Sequence, residues 1–140
     1  MIVLTGAAGF IGSCLLTRLN STGRKDIIIV DHLDEDLKNK NLEGKEFIQY
    51  LDKKDSLDLV MGNKVDSKVD MIIHMGACSS TVLQDAQYFN ENNFEYSRKV
   101  AEWCLRHYAR LIYASSAATY GDGSKGYHDD DRSTRLCRPL

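Results

Sequence analysis

Proline is almost missing from this chain: among 140 residues the only one is Pro139. There is also no Pro/Ser-rich stretch, no repeat and no low-complexity tract, so one domain without an internal boundary is expected. No apolar run approaches the roughly 18 residues of a membrane helix, which removes the membrane as an expected partner. Excess positive charge is lacking too, since 18 Lys and Arg face 20 Asp and Glu for a formal net charge of -2. A nucleic-acid binder would need a basic footprint to neutralise phosphates, so nucleic acid is not an expected partner. Cysteine is sparse and scattered. Cys14, Cys78, Cys104 and Cys137 contain no C-x-x-C pair and no His at ligand spacing, and free thiols rather than a zinc site are expected. The opening MIVLTG reads as a buried strand and lacks the basic start and cleavage site of a signal peptide; the reducing cytoplasm is the expected compartment.

What is present is ordinary for a globular domain, with 43% hydrophobic and 27% charged residues. A chain of this size buries roughly two-thirds of the surface it exposes when unfolded, enough for a true core. Short apolar runs alternate with longer helical patterns, the rhythm of β-α-β units and hence of an α/β fold with a mostly parallel sheet. Strands are predicted at 2–5, 27–31, 46–50, 71–74 and 111–115. Their continuous rather than alternating hydrophobicity suits a sheet covered on both faces. Between them, Ile11, Leu15, Leu16 and Leu19 share one helical face, and Gly23 is a plausible stop. A helix at 52–61 would bury Leu57, Val60 and Met61. A longer one ending near His107 would carry Phe94, Ser97, Ala101, Cys104, Leu105 and Tyr108 at helical spacing. From Gly121 onward glycine, serine and charge leave too few apolar positions for a core element, and a surface loop is expected. The run Asp129, Asp130 and Asp131 is read as solvated carboxylates, and no metal is expected.

The strongest local signal is Thr5-Gly6-Ala7-Ala8-Gly9-Phe10-Ile11-Gly12, a G-x-x-G-x-x-G loop after a strand and before a helix. Gly6, Gly9 and Gly12 permit a tight turn, a close backbone approach to a pyrophosphate and close packing of helix on strand. The helix N-terminus offers free N–H groups and a partial positive charge to phosphate. Asp31 follows Gly12 by nineteen residues at the end of the second apolar run, where a Rossmann-like doubly wound sheet presents a residue to the adenosine ribose. A plain glycine-rich turn is the alternative; strand, helix and Asp31 together favour dinucleotide binding. Which dinucleotide stays open at this stage. A carboxylate suits the free ribose of NAD, whereas Lys38 and a protonated His32 would suit the 2'-phosphate of NADP.

Two further segments, His74-Met75-Gly76-Ala77-Cys78-Ser79-Ser80-Thr81 and Tyr113-Ala114-Ser115-Ser116-Ala117-Ala118-Thr119-Tyr120-Gly121, follow the fourth and fifth runs. With TGAAGFIG they resemble the extended short-chain dehydrogenase/reductases that modify nucleotide sugars. GACSST and YASSAATYG, with Asn92-Asn93 and Tyr96-Ser97 between them, resemble the branch that epimerises ADP-heptose. The likeness runs to about Gly121. It implies that Phe10 and Ile11 line the pyrophosphate turn and that Asp31, His32, Lys38 and Lys53 surround the adenosine end. Met75, Gly76, Ala77, Cys78 and Ser79, with Asn92, would hold the ribose and nicotinamide side. The resemblance favours NADP, with NAD the alternative, although His32 stands where these enzymes carry a small amide. It also implies a homo-oligomer acting on ADP-heptose or a similar nucleotide sugar.

The reaction implied is inversion at C6 of the heptose by transient oxidation with bound NADP, a step in making the heptose precursor of the lipopolysaccharide core. Ser116 would hydrogen-bond the reacting oxygen as catalytic residue; a strand-end serine capping local backbone is the alternative. The acid/base would be a tyrosine in a Y-x-x-x-K motif following a P-L-N segment. The chain ends Arg138-Pro139-Leu140, and Tyr113, Tyr120 and Tyr127 have no lysine four residues later. The resemblance therefore implies an incomplete cofactor domain over 1–140, truncated after about five strands, with the C-terminal substrate domain absent and no useful turnover. Other readings are a 4-epimerase or dehydratase of another nucleotide sugar, or a non-enzymatic dinucleotide-binding module.

Overall fold

A computed structural model describes residues 1–32, 36–60, 69–78 and 85–128, with backbone alone at 36, 37 and 57–60. Five strands form one parallel sheet: β1 (Ile2–Thr5), β2 (Ile27–Asp31), β3 (Gln49–Asp52), β4 (Met71–His74) and β5 (Arg110–Tyr113). Their spatial order is β3-β2-β1-β4-β5. The chain winds outward from β1 in one direction and then, after β3, in the other, as in a doubly wound Rossmann-like sheet. Helices α1 (Phe10–Ser21), α2 (Asp36–Lys40), α3 (Lys53–Val60), α4 (Ala86–Phe89) and α5 (Tyr96–His107) make the crossovers, and a π-helical turn, Asn90–Glu95, joins α4 to α5. Among the described residues no helix is long and apolar enough to cross a membrane.

The central strands β1, β2 and β4 are mostly apolar because their side chains alternate between two buried faces. Val3, Ile28, Val30 and Ile72 point to one side, against Tyr96, Val100, Trp103 and Cys104 of α5. Ile2, Leu4, Ile27, Ile29 and Ile73 point to the other, against Leu16 of α1, with Leu15 and Leu19 packed at the margin. Register is in step across the centre, with Leu4 level with Ile29 and with Ile73.

Four details differ from the sequence expectation. The third strand starts at Gln49, not 46, because the Asn20 side chain holds Glu46 from both sides, accepting from its N–H at 2.9 Å and donating to its carbonyl at 2.8 Å. The fifth strand ends at Tyr113, two residues early; a last bond from the Ala114 N–H reaches the His74 carbonyl, after which β4 has ended. In α1 the buried residues are Gly12, Ser13 and Leu16, while Ile11 faces solvent. In α5 the inner face is Tyr96, Val100, Trp103 and Cys104, and Phe94, Leu105 and Tyr108 are exposed. The wide π-helical turn resets the helical phase before Tyr96, and Tyr108 adopts a left-handed conformation (φ 54°) that ends the helix and turns its ring outward. Helix α1 ends as expected, with Gly23 at φ 84° and the Arg24 N–H closing onto the Leu19 carbonyl. The expected stripe of the third helix (Leu57, Val60, Met61), Asp129 to Asp131, Cys137 and the final Arg138-Pro139-Leu140 lie outside the side chains described. Cys14, Cys78 and Cys104 are free thiols.

Candidate functional site

All five strands point their C-terminal ends to the same side, and the direction of winding reverses between β1 and β4, the switch point outside whose strand ends open α/β sheets bind ligands in a crevice. The glycine loop fills its floor. Gly6 has φ 68°, and a Cβ there would sit 2.7 Å from the Gly76 nitrogen, so only glycine lets the β1 and β4 loops touch. A Cβ on Gly12 would run into the Gly6 carbonyl, which fixes how closely α1 approaches the turn. Gly9 is the residue before the helix, and no side chain caps it. The N–H groups of Phe10, Ile11 and Gly12 therefore belong to the first turn, where no helix carbonyl reaches them. Phe10 is 82% exposed and Ile11 63%, leaving two apolar side chains standing at the mouth of the crevice.

Asp31 closes one flank. Its carboxylate accepts from the Ala8 N–H at 2.8 Å and from the His32 N–H at 2.8 Å, so it is tied to the glycine loop. Lys38, brought in by α2, donates to the His32 carbonyl at 3.0 Å and lies 3.5 Å from Asp31 Oδ1. The His32 ring is 3.2 Å from Asp52. The Lys54 N–H is the chief influence holding the Asp52 carboxyl below its usual pKa, with His32 adding to it. Lys53 stands with its ammonium 5.2 Å from the centre of the Tyr96 ring. Burial lowers its pKa, and Cys78, Asp31 and Asp52 oppose the change.

The other flank is the loop after β4. His74 is 1% exposed, with Nδ1 2.6 Å from Thr5 Oγ1 and Nε2 2.8 Å from Ser97 Oγ. Burial, reinforced by Lys53, pushes its pKa down to about 4, so the ring is neutral at pH 7. Thr5 Oγ1 also accepts from the Gly76 N–H at 3.1 Å. Met75, Gly76, Ala77 and Cys78 then run along the crevice, and Asn92 is buried behind them. Ser79 lies outside the described residues.

Ser116 follows β5 and begins a 3-10 turn, Ala117–Tyr120, where its Oγ accepts from the Ala118 N–H at 3.2 Å. That is the local capping arrangement foreseen as the alternative. It uses one lone pair and leaves the hydroxyl hydrogen free to donate.

The structure thus gathers Gly6, Gly9, Phe10, Ile11, Gly12, Asp31, His32, Lys38, Lys53, Met75, Gly76, Ala77, Cys78 and Asn92 around one crevice, with Ser116 at the end of the adjacent β5. It adds Thr5, Asn41, His74, Asn93 and Ser97, which sequence reasoning missed as supports. Asn41, for instance, donates to the Ala8 carbonyl at 2.9 Å. Thr5 and His74 open quoted motifs and Asn93 and Ser97 fall in quoted pairs, but Asn41 carried no signal. Tyr50 and Lys54 also have the Y-x-x-x-K spacing, but β3 is the edge opposite β5, and the Tyr50 hydroxyl donates to the Asp31 carbonyl at 3.0 Å.

Comparison with known proteins bears on the fold and the family. An ADP-L-glycero-D-manno-heptose-6-epimerase of Nitratidesulfovibrio vulgaris is 45% identical over 140 residues, which is all of this chain and 43% of that protein. The enzyme of that name from Helicobacter pylori superposes with a TM-score of 0.71 at 25% identity, covering 96% of this chain and 47% of the other. A UDP-glucuronic acid 4-epimerase from Bacillus cereus, solved with NAD, gives a TM-score of 0.77 at 24% identity over 99% of this chain and 45% of that one. The chain spans less than half the length of these relatives. Residues 2–140 match the NAD dependent epimerase/dehydratase family, and this chain belongs to that family.

Proposed function

We propose that this chain is the cofactor-binding part of an ADP-L-glycero-D-manno-heptose 6-epimerase that uses NADP, with NAD the alternative. The observation that carries the reading is the uncapped start of α1, held against the β4 loop by glycines that admit no side chain. A diphosphate fits such a cradle, because first-turn N–H groups and the helix dipole converge on it. NADP, when bound, supplies the removal and return of hydride at C6 of the sugar.

The chain's own residues would bind and orient. Phe10, Ile11 and Gly12 would offer N–H groups to the diphosphate, with Gly6 and Gly9 leaving room for it. Asp31, His32, Lys38 and Lys53 would flank the adenosine end, where the cations favour a 2'-phosphate. Met75 through Ser79, with Asn92, would line the nicotinamide side. Ser116 would donate its hydroxyl hydrogen to the reacting sugar oxygen and stabilise charge growing there. The acid/base pair and the sugar pocket would come from sequence not included in these 140 residues, so this chain alone is expected to bind cofactor without turnover. The whole enzyme would act in the cytoplasm on a lipopolysaccharide heptose precursor.

Titration of NADPH by its fluorescence tests the reading. Wild type should bind, and Gly9→Glu should abolish binding by putting a carboxylate where the diphosphate rests. Equal affinity in the two would discard the site.

A further inference from the structure

Asparagine is a poor residue inside a helix, because its short amide competes for nearby backbone. Two in succession, Asn92 and Asn93, nevertheless occupy the π-helical turn between α4 and α5. Such i→i+5 turns often mark functional positions, and here the turn brings the Asn93 amide to the loop leaving β4, with Asn92 beside it. Asn93 Oδ1 accepts from the Cys78 N–H at 2.8 Å, and Asn93 Nδ2 donates to the Cys78 carbonyl at 3.0 Å. The amide thus serves Cys78 as a neighbouring strand would, satisfying both of its main-chain groups. Asn93 Oδ1 also accepts from Asn92 Nδ2 at 2.6 Å, which fixes the orientation of that buried side chain.

We infer that Asn93 is a positioning residue: its amide clamps the Cys78 main chain and orients Asn92, and so sets the nicotinamide-side wall of the crevice. The inference rests on the dinucleotide reading above. The loop is pinned at two points. Gly76 is held by Thr5 Oγ1 and Cys78 by Asn93, leaving Ala77 between two fixed residues. Asn93 belongs to the helical segment rather than the loop, so it carries the position of α5 into the loop's geometry.

Calorimetric titration with two probes tests this: NADPH, and ADP, which carries adenosine and diphosphate but no nicotinamide. Asn93→Ala removes both bonds to Cys78 and should weaken NADPH about tenfold, the loss expected of one or two buried hydrogen bonds, while ADP affinity stays within about twofold. Asn93→Asp keeps the shape and the acceptor but faces the Cys78 carbonyl with an oxygen; it should show the same selective loss. Should Asn93→Ala fail to fold, the Asp variant decides. Unchanged NADPH affinity, or equal losses for NADPH and ADP, would overturn the clamp. Failure of the wild type to bind NADPH, or binding by Gly9→Glu equal to wild type, would instead remove the dinucleotide reading, and the clamp with it.

Discussion

On the proposed reading, Lys38 is the residue that would favour one nicotinamide cofactor over the other. Its ammonium already rests on the His32 carbonyl and beside Asp31 at the exit of β2. A 2'-phosphate reaching this place would exchange those contacts for a charge-assisted one, whereas a free ribose would not need the cation. Lys38→Ala should therefore lower NADPH affinity about tenfold and leave NADH nearly unchanged; titrations in which both fall equally would refute the 2'-phosphate assignment. His74 makes a second prediction, on stability. Its unfolded pKa is 6.5 and its folded one about 4, so on acidification the unfolded chain takes up the proton first. Stability from this group is complete above about pH 6.5 and is lost as pH falls towards 4. Between pH 7.5 and 5 the loss from His74 is about 2 kcal/mol. Urea unfolding at those two pH values should show that component shrink in His74→Gln. An identical pH dependence in both proteins would mean that other groups carry it.

Among elements, β5 differs from its neighbours. The inner strands β2, β1 and β4 have a partner on each side, but among the described residues β5 pairs only with β4, at the end of the strand order. Its Ile112 is 41% exposed, and Tyr113 is also open to solvent. An apolar edge with unpaired main-chain groups is a template for another strand. The chain should self-associate as concentration rises, and Ile112→Lys should suppress this without altering the circular dichroism spectrum. Sedimentation that shows a monomer for the unsubstituted chain at high concentration would remove this expectation. At the opposite end of the element scale, α1 illustrates how a helix serves the crevice rather than the core alone. Its close approach through Gly12 buries Leu16, and the same approach turns Phe10 and Ile11 out to the mouth.

The molecule as a whole should register its ligand. Cofactor bound to the folded form alone stabilises it by about 2.7 kcal/mol at one hundred times Kd, which for a domain of this length corresponds to a rise in Tm of roughly 10 °C. Thermal melts with NADPH should show that rise in wild type and none in Gly9→Glu. A wild-type midpoint indifferent to NADPH would count against binding by the folded chain. Because the crevice walls come from both halves of the sheet, β2 on one side and β4 on the other, ligand contact there would bridge the two halves rather than tighten a single loop.

Much of this was decided by local pattern. Apolar runs long enough for strands but too short for helices, glycines spaced three apart across a turn, and Asp31 at the end of β2 are properties of neighbouring residues, and they determined the α/β class and the place of the glycine turn. Helix ends and inner faces were less legible. Ile11 and Leu105 have the right spacing for a core stripe, but the facing strands decide which side of a helix is buried, and a π-helical turn shifts the count. What only the tertiary structure decided are the contacts between distant residues: Thr5 with His74, Ala8 with Asp31, and Asn93 with Cys78. A hydrogen bond across such separations depends on strand order and crossover geometry, which no local pattern encodes; the sequence by itself determined the α/β class and the glycine turn, and the packed sheet decided which side chains hold the walls around that turn in place.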